Sequence, residues 1–252
     1  MSNRILKVKL DGLDLTHVKS RIKEFLKEDR LHQITPVNPE FIMAAQRDED
    51  LLDIANRSDI TVADGVGLKI AAKFLGIDIG DRVTGVDLTW ELARIAVENS
   101  VPMYFLGAAE GVAERAAQKL KAEQPDLKIA GTYSGTPEET GLVERINESG
   151  AGILLVAYGV PKQEKFISTN SANLKVKIAM CVGGTFDFIA GIVPRAPRWM
   201  RLAGLEWLYR LMKQPHRINR IITATVRFPL TVLTDRIMKR REILPAGEGL
   251  EE

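Results

Sequence analysis

Apolar and polar positions over the first 193 residues follow two alternating rhythms. Short continuous apolar runs, such as "PMYFLG" at 102–107 and "GILLVAY" at 152–158, separate segments whose apolar residues fall three or four apart. The runs are too continuously apolar for a half-exposed sheet, and they predict strands covered on both faces. Such strands are expected near 4–9, 33–37, 60–63, 81–84, 102–106, 128–133, 152–157 and 176–182. The segments between them predict helices. "DLTHVKSRIKEFLK" opens on a cap, Asp14 or Thr16, and places Val18, Ile22 and Leu26 on one face. "VDLTWELARIAVENS" and "GVAERAAQKLKAEQ" repeat the pattern. The alternation predicts an α/β fold with a mostly parallel, Rossmann-like sheet covered by helices on both faces. Ligands of such sheets sit beyond the carboxyl ends of the strands, so the residues just after each strand are where chemistry is expected.

After "GIVPRAPRW" the rhythm changes. Pro194, Pro197 and Pro215 punctuate a segment that reads as helical without further strands. The chain therefore divides into an α/β body, 1–193, and a helical appendage, 194–252. Charge divides at the same place. Residues 194–241 hold twelve Lys and Arg against Glu206 and Asp235, a segment charge of +10 in a chain of +2, which leaves −8 on the rest. A basic tail on an acidic body suits anionic lipid, nucleic acid or phosphorylated substrates. Few aromatics interleave with the cations, which argues against nucleic acid. The stretch "IITATVRFPLTVLTDRIMKRR" has apolar residues flanked by cations and predicts a helix lying on an anionic membrane surface. No apolar run reaches the roughly 18 residues of a membrane span, and the first residues are charged, unlike a secretory leader. One cysteine and three histidines, none at ligand spacing, leave no pattern for a zinc site.

The stretch "TVADGVGLK" at 61–69 poses the sharpest question. A strand running into glycines often cradles phosphate, yet Asp64 stands at its mouth and would repel one. Asp64 either caps the following helix, an effect of about 1 kcal/mol, or does chemistry beside the phosphate. Other post-strand residues carry the same double reading. Asn38 can cap a helix with Pro39 at its first position. Arg82 can pair with Asp81 or Asp78. Gly107, with two alanines after it, can admit a ligand to a helix start, and Gln163 in "PKQE" sits at another. Asp187 can bond the backbone of a loop containing Gly183 and Gly184. Neither the dinucleotide Gly-x-Gly-x-x-Gly turn nor a P-loop lysine occurs, which weighs against a nicotinamide-dependent oxidoreductase.

The words "ADGVGL", "RVTGVDL", "GVPKQEKF", "GGTFDFIAG" and "RAPRWMRLAGLEWLYRL", in this order, closely resemble the WecG/TagA/CpsF family of bacterial glycosyltransferases over about residues 35–220. The resemblance implies an inverting enzyme. It would move an N-acetylmannosamine-type sugar from a UDP donor to N-acetylglucosamine on an undecaprenyl diphosphate carrier, at the inner face of the membrane. The product would be a linkage unit for wall teichoic acid or a related surface glycan, and no metal or other cofactor is implied. Asp64 then becomes the base and Arg82 a stabiliser of the diphosphate. Asn38, Gln163 and Asp187 become substrate contacts. Arg210, Arg217 and Arg220, on one side of a mostly helical stretch over 204–222 that Pro215 can kink or restart, become a clamp closing over the site. The family's threonine stands two residues before the asparagine, where this chain has Pro36. Its nearest replacement, Thr35, is one residue earlier and so on the opposite face of the strand. The oligomeric state is left open, a homo-oligomer included.

Overall fold

A computed structural model describes residues 3–197, 199–200 and 203–243. Its centre is a six-stranded sheet, every neighbouring pair parallel: β3 (His32–Val37), β4 (Ile60–Ala63), β5 (Met103–Gly107), β6 (Ile129–Tyr133), β7 (Ile153–Ala157) and β8 (Ile178–Cys181). Their order across the sheet is β4-β3-β8-β7-β5-β6. Side chains alternate between two cores. Met103, Phe105, Ile153, Leu155, Ile178 and Met180 face one cluster, and Tyr104, Leu106, Leu154, Val156, Ala179 and Cys181 face the other. This is why the runs read as continuously apolar: both faces are covered.

Helices fill the crossovers that parallel strands require. α1 (Leu15–Phe25) starts at Asp14, whose carboxylate accepts from the His17 N–H at 2.8 Å, and it buries Val18, Ile22 and Phe25. α2 (Pro39–Ala45) and α3 (Glu49–Arg57) follow β3, and α4 (Val66–Leu75) and α5 (Gly85–Glu98) follow β4. α6 (Val112–Glu123), α7 (Leu142–Glu148), α8 (Lys162–Asn170) and α9 (Thr185–Ile189) complete the body.

Two of the expected strands differ. Residues 4–9 form a small antiparallel hairpin, β1 (Arg4–Ile5) and β2 (Val8–Lys9), outside the main sheet. Leu6 and Lys7 turn through the left-handed region, with φ of 46° and 72°, which breaks the run in two. Residues 81–84 make only one bridge, Arg82 to Ala63. Thr84 accepts from the Asp87 N–H and begins α5 there, so no strand can extend further.

The appendage has no strand among its described residues. α10 (Glu206–Lys213) ends before a 3₁₀ turn, Pro215–Arg217. The chain then continues through α11 (Ile218–Ile222), a π-helical turn over Thr223–Arg227, and α12 (Phe228–Ile243). The π turn precedes Pro229, whose ring crowds the carbonyl one turn back and which has no N–H to donate to it. Phe228 and Val232 are buried in the cluster formed by Phe41, Ile42, Leu51, Leu68 and the β1–β2 hairpin. The appendage thus shares a core with the body.

Candidate active site

Four neighbouring strands, β4, β3, β8 and β7, send their carboxyl-end loops to one cavity of about 560 Å³. Asn38 and Glu40 follow β3, Asp64 follows β4, Gly159 and Gln163 follow β7, and Gly183 to Thr185 follow β8. The appendage supplies the opposite wall, with Glu206, Trp207, Arg210, Arg217, Arg220, Ala224 and Thr225.

Asp64 sits where β4 ends. Its backbone N–H continues the ladder, donating to Val37 at 2.7 Å. Its carboxylate does not cap α4: that helix is capped by Gly65, at φ 122° and ψ 147°, with no side-chain bond. Only glycine adopts such a conformation readily. The Oδ2 atom instead accepts from the Gly85 N–H, 3.1 Å away, at the start of α5. That helix end favours the charged form, but burial outweighs it. The carboxyl is pushed above the ordinary range by burial, and also by Glu206, against the pull of the Gly85 N–H, Arg210 and Arg82. A carboxylate placed so is poised to take a proton.

The cations around it are arginines. Arg82 lies 3.6 Å from Glu206 across the cavity wall. Arg210 stacks its guanidinium over the Phe188 ring at 4.5 Å, and its Nε is buried without a hydrogen-bond partner. Arg217 is half-buried, and its pKa is lowered by burial and then by the neighbouring Arg220 and Arg210. Crowded like charges of this kind favour a bound anion that would offset them. Arg220 pairs with Glu40 at 2.5 Å. Arg195, also on the wall, pairs with Asp87 at 2.8 Å and donates to the Thr84 hydroxyl at 3.3 Å.

A carboxylate with a raised pKa, set among arginines in a cleft at strand carboxyl ends, is chemically suited to proton transfer beside an anionic ligand. The sequence matches the family described as glycosyl transferase WecG/TagA/CpsF over residues 3–242. The chain belongs to this family. Among its relatives is the N-acetylglucosaminyldiphosphoundecaprenol N-acetyl-beta-D-mannosaminyltransferase of Bacillus subtilis (strain 168). It is 30% identical over 236 residues, covering 90% of this chain and 92% of the relative. The enzyme of the same name from Staphylococcus aureus (strain MRSA252) is 31% identical over 221 residues, covering 86% and 87%. Membership of a glycosyltransferase family leaves the oxidoreductase and nucleic-acid readings without support.

Within this WecG/TagA/CpsF chain, seven of the ten residues singled out from sequence line the cavity: Asn38, Asp64, Arg82, Gln163, Arg210, Arg217 and Arg220. The three tail arginines do not share one helix, because Pro215 breaks it. They converge because the chain bends round the cavity. Asn38 caps α2 through Oδ1, which accepts from the Phe41 N–H at 2.9 Å.

Three residues are placed elsewhere. Thr35 is fully buried, sharing a 2.8 Å hydrogen bond with Ser58 and accepting from the Gln33 amide, while its neighbour Pro36 lines the cavity. The alternation of the strand separates the two. Gly107 ends β5, beyond β7 in the sheet order and outside the cavity lining. A Cβ there would meet Ala157 and the Tyr158 ring at 3.0 Å, so the position serves close packing. Asp187 lies behind the wall. Burial raises its pKa against the pull of Arg217 and Arg210, and its carbonyl accepts from the Ile192 and Val193 N–H groups.

Gln163 has a role the sequence does not announce. Its Oε1 accepts from the Gly159 N–H at 3.1 Å and the Gly183 N–H at 3.0 Å, pinning together the loops after β7 and β8. Its Nε2 donates to Glu164 at 2.7 Å. Glu164 is fully buried, and burial raises its pKa to about 7. Replacing Gln163 by Ala strips the acceptor from two backbone donors. The expected loss is about 2 kcal/mol of stability in denaturant unfolding, with transfer falling as the loops separate. Unchanged stability would remove the pinning role. Glu206, Glu40 and Arg195 escaped the sequence reading. The one signal for Glu206 is its isolation as an acid among basic neighbours.

Proposed function

We propose that this family member transfers N-acetylmannosamine, or a closely related sugar, from a UDP donor. The acceptor is N-acetylglucosamine carried on undecaprenyl diphosphate, as the names of its relatives indicate for those enzymes. The observation that carries the reading is Asp64, a carboxylate of raised pKa in a cavity walled by arginines from body and appendage. In the reaction the acceptor hydroxyl oxygen attacks the anomeric carbon. The bond from that carbon to the UDP oxygen breaks, and UDP leaves with the electron pair. Asp64 takes the hydroxyl proton, and attack opposite the leaving group inverts the centre. Arg82 meets the charge that develops on UDP. Arg210, Arg217 and Arg220 meet the remaining phosphates, and Asn38 is left with two amide N–H groups for a sugar oxygen.

The acceptor's lipid calls for a membrane-facing surface. Among the described residues no helix is long and apolar enough to cross a membrane. The appendage, however, exposes Trp199, Trp207, Met212, Leu230, Leu233 and Met238 among its cations. Apolar and basic groups so mixed suit peripheral attachment to an anionic surface, here the inner face of the cell membrane. The deciding experiment offers a panel of UDP-sugars with a soluble lipid-diphosphate acceptor and reads products by mass. The expected result is one N-acetylhexosamine added, with UDP-N-acetylmannosamine the best donor. No product from any UDP-sugar would defeat the reading.

A further inference from the structure

Glu206 is one of two acids in a segment with twelve bases, and it stands in the cavity wall. Its Oε2 lies 3.6 Å from Nη2 of Arg82, with side-chain exposures of 27% and 23%. A pair so covered is screened less than a surface pair, yet its separation is longer than a strong charge-assisted hydrogen bond. Asp64 faces the same pair, repelled by Glu206 and attracted by Arg82. The cavity thus holds two carboxylates beside a cation suited to phosphate. A second contact has the reverse arrangement: Arg220 of the appendage holds Glu40 of the body. At both places an arginine of the cavity wall is engaged by a carboxylate from the other side.

We propose that Glu206 is an internal counter-ion that occupies the anion seat on Arg82 and is displaced by the diphosphate of a bound substrate. The inference rests on the reading of Arg82 as a diphosphate ligand. A diphosphate carries more charge than a carboxylate and offers more acceptor oxygens to a guanidinium fork, so it wins the exchange. A singly charged ligand has no such advantage, and Glu206 therefore tunes the seat toward multiply charged ligands. The displaced contact also joins appendage to body. On binding, the bridge Arg82–Glu206 gives way to one that runs through the substrate.

The test is calorimetric titration of the full-length protein with UDP and, separately, with a short isoprenyl diphosphate. Four proteins are compared: wild type, Glu206→Gln, Arg82→Ala and the double variant. Arg82→Ala is expected to weaken binding. Glu206→Gln, which removes the competing charge and keeps the side chain's size, is expected to tighten it roughly fivefold. The gain should vanish in the double variant. Tightening of UDP assigns the seat to the donor, and tightening of the isoprenyl diphosphate assigns it to the acceptor. Either supports displacement, because a merely structural Glu206 gives no tighter binding when lost. If Arg82→Ala weakens binding but Glu206→Gln tightens neither ligand, the inference alone is overturned. If Arg82→Ala binds both ligands as wild type does, the reading of Arg82 fails and the inference with it.

Discussion

Replacing Asp64 by Asn should reduce transfer by about two to four orders of magnitude, the usual contribution of a general base, while leaving the fold intact. Asn keeps an oxygen that can accept from the Gly85 N–H, so the local hydrogen bond survives. Only the proton acceptor is lost. Two further readouts separate this from damage to the fold. The first is the pH profile of kcat/KM. The base must be ionised to act, so wild-type activity should fall as pH drops through a pKa above the ordinary carboxylate range. The residual activity of Asp64→Asn should lack that limb. The second is stability. Asp64 has its folded pKa raised above its unfolded value, so folding favours the protonated form. The resulting penalty grows as pH rises from the ordinary carboxylate range toward the raised pKa, and it is complete above that pKa. The Asn variant should therefore melt no lower than wild type at neutral pH. Full activity in a well-folded variant would remove Asp64 from the chemistry.

The second large effect is on stability. Phe228→Ala should lower unfolding free energy by about 3–5 kcal/mol, the range for emptying a large aromatic from a packed core. Phe228 is fully buried, in a cluster with Phe41, Ile42 and Leu68, although it belongs to the appendage. Those partners come from α2, which carries Asn38 and Glu40 near its start, and from α4, which follows Asp64. Loosening Phe228 should therefore also move Arg217 and Arg220 relative to the cavity, and transfer should fall more than the unfolded fraction explains. Denaturant unfolding and assays at temperatures where the variant stays folded check both halves. A loss below about 1 kcal/mol would mean that the appendage docks only loosely. A cut near residue 193 should accordingly destabilise the body, since it removes Phe228 and Val232 from the shared core.

Most strands and helices were legible because their periodicity and caps depend on neighbours in the chain. Asp14 and Asn38 cap helices through donors three residues on, and such spacing is visible in a string of letters. The words of the WecG/TagA/CpsF family were legible for a related reason: they fall in loops after strands, where a parallel sheet keeps its ligands. Asp64 was legible as a candidate, but its two readings were not separable. The donor that holds it, the Gly85 N–H, lies 21 residues away at a different helix. Gln163 was legible as a polar residue at a helix start. Its bond to Gly183 spans 20 residues and requires β7 and β8 to be adjacent.

The sequence by itself determined an α/β body, the covered strands, the change of character near residue 193 and the inventory of charges. These follow from periodicity and composition, which report whether a residue's surroundings are apolar. Tertiary structure alone decided which loops meet. The order β4-β3-β8-β7-β5-β6 brings Asp64 beside Gln163 and leaves Gly107 outside the cavity. The fold of the appendage back over that end adds Arg195, Arg210, Arg217, Arg220 and Glu206, and buries Phe228 in the body. The reason is physical. Burial is non-directional and leaves its mark on every apolar position, whereas an ion pair or a shared anion seat needs two particular groups within a few ångströms. That proximity is a property of the packed chain.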